Sequence, residues 1–74
     1  MTPIENISDL SEGSLVYIYL DDEPINGYII EVSEIADGIS TLVVSHEDDF
    51  EEQVIDVVWD ADNGSILDPE IYLH

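Results

Sequence analysis

A chain of 74 residues with no Lys, no Arg and 19 Asp and Glu carries a formal net charge of −19, a field that repels nucleic acid and anionic membranes and attracts cationic surfaces. The absence of Cys excludes disulfides and thiolate metal sites, and no stretch approaches the roughly 18 apolar residues of a membrane-spanning helix. At this size folding buries only about 60% of the unfolded surface, enough for one small core built from the 45% of residues that are hydrophobic.

The total charge is ordinary, since Asp, Glu, Lys and Arg make up 26% of the chain against an average of about 25%. Only its sign is abnormal. Solubility needs a net charge of about 2 to 8 in magnitude, so an excess this large costs stability by self-repulsion and implies another purpose. The N-terminal residues Met1-Thr2-Pro3-Ile4-Glu5 hold neither a basic region nor a long apolar run. The expectation is a single domain over 1–74, with its core at about 13–67, in the cytoplasm.

In chain order, Ile4, Ile7 and Leu10 have helix-like spacing among polar residues and suggest a short helical turn before Gly13. Leu15–Leu20 is a β-branched and aromatic run between Gly13-Ser14 and Asp21-Asp22-Glu23-Pro24, and reads as the first strand. Alternation places Val16, Ile18 and Leu20 on one face and Leu15, Tyr17 and Tyr19 on the other. Ile25–Ser33 is the second strand, with Tyr28, Ile30 and Val32 opposed to Ile29, Glu31 and Ser33. Asn26-Gly27 offers an alternative hairpin turn, but a turn at Asp21–Pro24 leaves Gly27 free to let the strand bend. Ala36-Asp37-Gly38-Ile39 turns the chain into a third strand, Thr41–Ser45.

From His46 to Asp62 two readings compete. Ser45 could cap a helix with acidic residues in its first turn. Gln53–Trp59, however, is rich in β-branched residues, with Ile55, Val57 and Trp59 alternating with Asp56, Val58 and Asp60. An acidic loop followed by a fourth strand is preferred. Asp62-Asn63-Gly64 signals a hairpin into a short fifth strand, Ser65–Leu67, which Asp68-Pro69 ends. The tail Glu70–His74 would pack, if at all, through Ile71, Tyr72 or Leu73.

The fold class is therefore all-β, a small five-stranded antiparallel bent sheet or barrel. Gly13-Ser14-Leu15-Val16-Tyr17-Ile18 followed by Ile25-Asn26-Gly27-Tyr28-Ile29-Ile30-Glu31-Val32 resembles SH3-like and Sm-like barrels over about Gly13 to Leu67. That resemblance implies fold only. Nucleic-acid-binding members of such barrels carry basic residues on their binding face, and this chain has none.

Five carboxylates surround one aromatic ring in Glu47, Asp48, Asp49, Phe50, Glu51 and Glu52. With Asp21, Asp22, Glu23, Asp56, Asp60 and Asp62 they form the candidate partner-binding set. Duplex DNA carries one charge at about every 1.7 Å of axis, and alternate side chains on a strand stand about 6.7 Å apart, so carboxylates from several strands and loops can imitate a run of phosphates. Phe50 is a candidate anchor, because binding hot spots favour an aromatic ringed by residues that exclude water; the plainer alternative turns it inward. Trp59, Tyr17, Tyr19 and Tyr28 read as packing, since base stacking needs a cationic groove.

No metal or cofactor is expected. Asp60-Ala61-Asp62-Asn63-Gly64 starts like a calcium loop, but the required fifth, sixth and twelfth positions hold Gly64, Ser65 and Ile71. Nor is catalysis expected, with His46 and His74 the only imidazoles and no Cys or Lys nucleophile. In composition the chain resembles phage-encoded DNA-mimic inhibitors, including anti-restriction and anti-CRISPR proteins. That resemblance implies a basic nucleic-acid-binding protein as partner. An immunity or regulatory protein that binds a basic partner without mimicry, and a salt-adapted domain, are the alternatives.

Overall fold

The computed structural model describes residues 1–21 and 23–74. Among these residues the chain forms a single antiparallel sheet of seven strands, β1 (Thr2–Pro3), β2 (Leu15–Leu20), β3 (Glu23–Ala36), β4 (Ile39–His46), β5 (Glu52–Trp59), β6 (Ile66–Asp68) and β7 (Glu70–Leu73), with one turn of 3-10 helix at Ile7–Asp9. The strand order is β1-β7-β2-β3-β4-β5-β6, and the ladder is not closed. The expected all-β class therefore holds, while the expected count of five strands does not. The two additional strands come from the chain ends. Tyr17 pairs with Tyr72 and Ile18 with Ile71, while Thr2 pairs with Leu73, so the tail that sequence left undecided is integral to the sheet.

Alternation explains the core. Val16 and Ile18 of β2, Ile25 and Ile29 of β3, Leu42 and Val44 of β4, Ile55 and Val57 of β5 and Ile71 of β7 are all buried and form one cluster with Leu10. All the strand members lie on one face of one sheet. With no second layer among the described residues to cover that face, burial requires the sheet to coil around its own side chains. The N-terminal segment draws the two ends of the sheet together: Ile66 N–H donates to the Glu5 carbonyl, Ile7 N–H to the Gly64 carbonyl, both at 2.8 Å, and Asn6 bridges Ser65.

Two features of β3 shape that coil. Gly27 is buried against β4, and a Cβ there would collide with the Ser45 carbonyl oxygen and lie 2.9 Å from Val44 Cγ1. Only glycine permits this approach. The strand therefore continues through Asn26-Gly27 without turning there, and Leu20 pairs with Glu23 across the hairpin instead. Further on, the register shifts between Ile29 and Glu31, which makes Ile30 the extra residue of a bulge. The shift reverses parity. Val32, paired with Leu42, packs against the core, while Glu31, paired with Val43, is exposed. Strict alternation from Tyr28 through Ser33, which grouped Ile29 with Glu31, is corrected by this single residue. It keeps a carboxylate out of the interior.

Candidate acidic interface

The acidic loop and following strand form as expected, in preference to a helix. His46 N–H donates to the Glu51 carbonyl at 2.8 Å and Phe50 N–H to the His46 carbonyl at 2.9 Å, closing a loop over residues 47–50. Asp49 Oδ1 accepts from Glu51 N–H at 3.0 Å. The last loop position is left-handed, with Phe50 at φ 60°. That conformation is ordinarily taken by glycine or asparagine. Phe50 is 76% exposed, so the ring points to solvent among its carboxylates and the inward alternative does not hold.

The same end of the sheet carries the β2–β3 hairpin. Asp21, also left-handed at φ 51°, and Glu23 line a cleft of about 400 Å³ with Leu20, Pro24, Ile25, His46 and Gln53. His46 Nε2 and Gln53 Oε1 meet at 2.8 Å along its wall. Glu47 is tied to this end by two bonds: its N–H donates to the Asn26 carbonyl at 2.9 Å, and its Oε2 accepts from Asn26 Nδ2 at 2.6 Å. Asn26 Oδ1 in turn lies 2.6 Å from His74 Nε2. Asn26 thus joins the acidic loop to the C-terminus, a role not visible in an Asn-Gly pair that reads locally as a turn.

The candidate residues do not form one patch. Asp21, Glu23, Glu47, Asp48, Asp49, Phe50, Glu51 and Glu52 share one end of the sheet. Asp56 projects instead from the outer face of β5, on the same side as Glu52 and Val54, because these three alternate with buried Ile55 and Val57. Asp60 and Asp62 lie at the opposite end, where Asp60 Oδ1 accepts from Asp62 N–H at 2.8 Å and Gly38 accepts from Trp59 N–H at 2.9 Å. Asp22 lies outside the described residues. Pairing of Thr41 with Asp56 and Ser33, and of Val43 with Val54 and Glu31, sets Glu31 on the outer face as well. Sequence reading missed Glu31 because alternation without the bulge gave no reason to place it on the same face as Asp56.

The aromatic residues occupy a second region of that outer face. Tyr17 and Tyr19 stand edge to face with centroids 5.0 Å apart, Tyr19 and Tyr72 at 5.9 Å, and Tyr17 and the His74 ring at 6.1 Å. These are favourable aromatic geometries. Desolvation, then the hydrogen bond and charge of Tyr19, raise the Tyr17 phenol above its ordinary 10.0. Trp59 packs beside the core and donates from its indole to Ser40 Oγ at 3.0 Å, which satisfies the one buried polar side chain found among the described residues. Among the described residues no three or more His, Cys, Asp or Glu side chains converge in a metal-holding arrangement, and no helix is long and apolar enough to cross a membrane.

Chemically, the exposed carboxylates are acceptors without cationic side-chain partners of their own, since the chain has no Lys or Arg. Glu31, Glu47, Asp49 and Asp60 each accept one hydrogen bond from within the chain, which leaves further acceptor capacity on each carboxylate. Comparison of the chain with protein-family models, with curated proteins and with solved structures gives no match. The functional reading therefore stands on the residues themselves.

Proposed function

We propose that this protein is a nucleic-acid-mimic inhibitor that occupies the DNA- or RNA-binding site of a basic protein and excludes its substrate. The supporting observation is the combination at one end of the sheet: an acidic loop and an acidic hairpin turn, with Phe50 exposed among carboxylates in a chain without a cationic side chain. Carboxylates there would take the place of phosphates opposite Lys and Arg, and the exposed ring would supply the apolar contact that charge alone lacks. Long-range attraction would speed encounter and reject anionic competitors. The protein acts by binding and carries no catalytic role in this reading. Its coiled sheet, with an early glycine and a bulge in β3, suits the SH3-like plan that the sequence resembles. An anti-restriction, anti-CRISPR or host-takeover role in the cytoplasm fits this chemistry.

Competition tests the reading. Immobilised protein is exposed to bacterial lysate at low salt, and the retained proteins are challenged with DNA and RNA. Release of a specific nucleic-acid-binding protein by competing nucleic acid, together with loss of retention when Glu47, Asp48, Asp49, Glu51 and Glu52 are changed to Gln and Asn, is the expected result. Retention that ignores both nucleic acid and these substitutions would overturn mimicry and favour an immunity or regulatory protein that grips its partner elsewhere.

A further inference from the structure

A strand at the edge of a sheet presents unpaired backbone groups that can template another strand, and natural edges are blunted by shortness, proline, bulges or covering segments. Most edges here are treated in this way. β1 is two residues long and contains Pro3, β6 is three residues long and is bonded to Glu5, and the part of β3 beyond its pairing with β2 carries register shifts around Ile30 and Ile35. Over Glu52–Val57 β5 is neither short, proline-bearing, bulged nor covered, and what guards it against a like strand is the negative charge of Glu52 and Asp56. It pairs residue for residue with β4 there, contains no proline, and is met by β6 only at Val58 and Trp59.

The direction of its peptide groups is set by the bonds at each end. Glu51 accepts from His46 N–H at 2.8 Å, and Trp59 N–H donates to Gly38 at 2.9 Å, so the odd-numbered residues of this segment face β4. Antiparallel alternation then turns the N–H and C=O groups of Glu52, Val54 and Asp56 to the other side. Among the described residues no backbone partner meets them there. Their side chains share the outer face, with two carboxylates flanking Val54, which is 65% exposed.

We infer that this edge of β5 accepts an extended segment of a basic partner protein as an additional strand, with alternate residues in the order cationic, apolar, cationic set beside Glu52, Val54 and Asp56. Backbone bonds supply the affinity of such strand addition and alternate side chains its selectivity. Charge decides the occupant. A second copy joined antiparallel about Val54 would set Glu52 opposite Asp56, a like-charge pairing that is unfavourable, and would add a second net charge of −19. A cationic strand meets the opposite situation. The inference rests on the basic protein partner of the proposed function and does not require nucleic-acid mimicry.

The test uses an acetylated, amidated peptide of order Thr-Lys-Thr-Val-Thr-Lys-Thr, a scrambled peptide of the same composition, and a version N-methylated on the backbone along its bonding edge. Binding and amide hydrogen exchange are followed by NMR at low salt. The alternating peptide is expected to slow exchange at the Glu52, Val54 and Asp56 amides by about tenfold or more and to bind about tenfold more tightly than the scrambled and methylated peptides, roughly 1.4 kcal/mol. Equal binding of all three, or binding without protection of those amides, would overturn strand addition while leaving a cationic partner in place. Failure of all three peptides to bind would overturn strand addition, and if the lysate experiment also retains nothing, the proposed function falls with it. Protection of the same amides without peptide, accompanied by a dimer in sedimentation, would overturn the assignment in favour of a second copy.

Discussion

At Phe50 conformation and exposure point in opposite directions for stability and binding. The residue holds a left-handed backbone at φ 60°, which costs an L-residue about 1 to 2 kcal/mol, whereas glycine there would forgo about 0.5 to 1 kcal/mol of chain entropy. Phe50→Gly should therefore stabilise the fold by roughly 0.5 to 1 kcal/mol in denaturant unfolding, yet weaken capture of the partner. A variant that is both less stable and fully able to bind would show that the ring serves the fold. Tyr17 gives a pH signature. Its phenol is raised above 10.0, chiefly by desolvation, so the folded state holds the proton more tightly than the unfolded chain. The resulting stability is present below the ordinary phenol value and is lost as pH rises through the raised one. Unfolding measured from pH 9 upward should show this loss, reduced in Tyr17→Phe; an unchanged profile in that variant would place the loss elsewhere. Both residues were legible by type. Their settings were not, because a left-handed Phe has no local sequence signal and the pairing of Tyr17 with Tyr72 joins distant parts of the chain.

At the scale of elements, β2 was legible to the residue, as its hydrophobic run is bounded on both sides by turn formers. β3 was legible in existence but is longer than the expected Ile25–Ser33, running from Glu23 to Ala36. A bulge lets a strand continue while reversing which face is buried, so alternation read straight through Ile30 assigns Glu31 and Val32 to the wrong faces. The close contact at Gly27 yields a direct prediction. Gly27→Ala would drive a methyl group into the Ser45 carbonyl and Val44, and should destabilise the protein by about 2 kcal/mol or more. Thermal unfolding followed by the single Trp59 measures it. Little change would mean that β4 can move away, and that the coil of the sheet does not depend on this contact.

For the whole molecule, the principal extents are 36 × 23 × 22 Å, while the screening length falls from about 30 Å at 0.01 M salt to about 3 Å at 1 M. At low salt every carboxylate therefore feels most of the others. Added salt should raise the unfolding temperature and, in the same range, weaken partner binding steeply through lost attraction and counterion effects. Calorimetry and binding titrations across a salt series check the two opposing trends. A chain that is unfolded in dilute buffer and folds only in molar salt would instead support the salt-adapted alternative. The sequence by itself determined the sign of the charge, the β class and the central strands, because residue ionisation and strand alternation are set by covalent structure and local stereochemistry. Only the tertiary structure decided that both chain ends enter the sheet, that Asp60 and Asp62 stand apart from Asp21, Glu23 and the Glu47–Glu52 loop, and that the outward peptide groups of Glu52, Val54 and Asp56 have no backbone partner among the described residues. These depend on register, on one bulge and on a sheet coiling to bury its own face, and such long-range pairings leave no periodic trace in the chain.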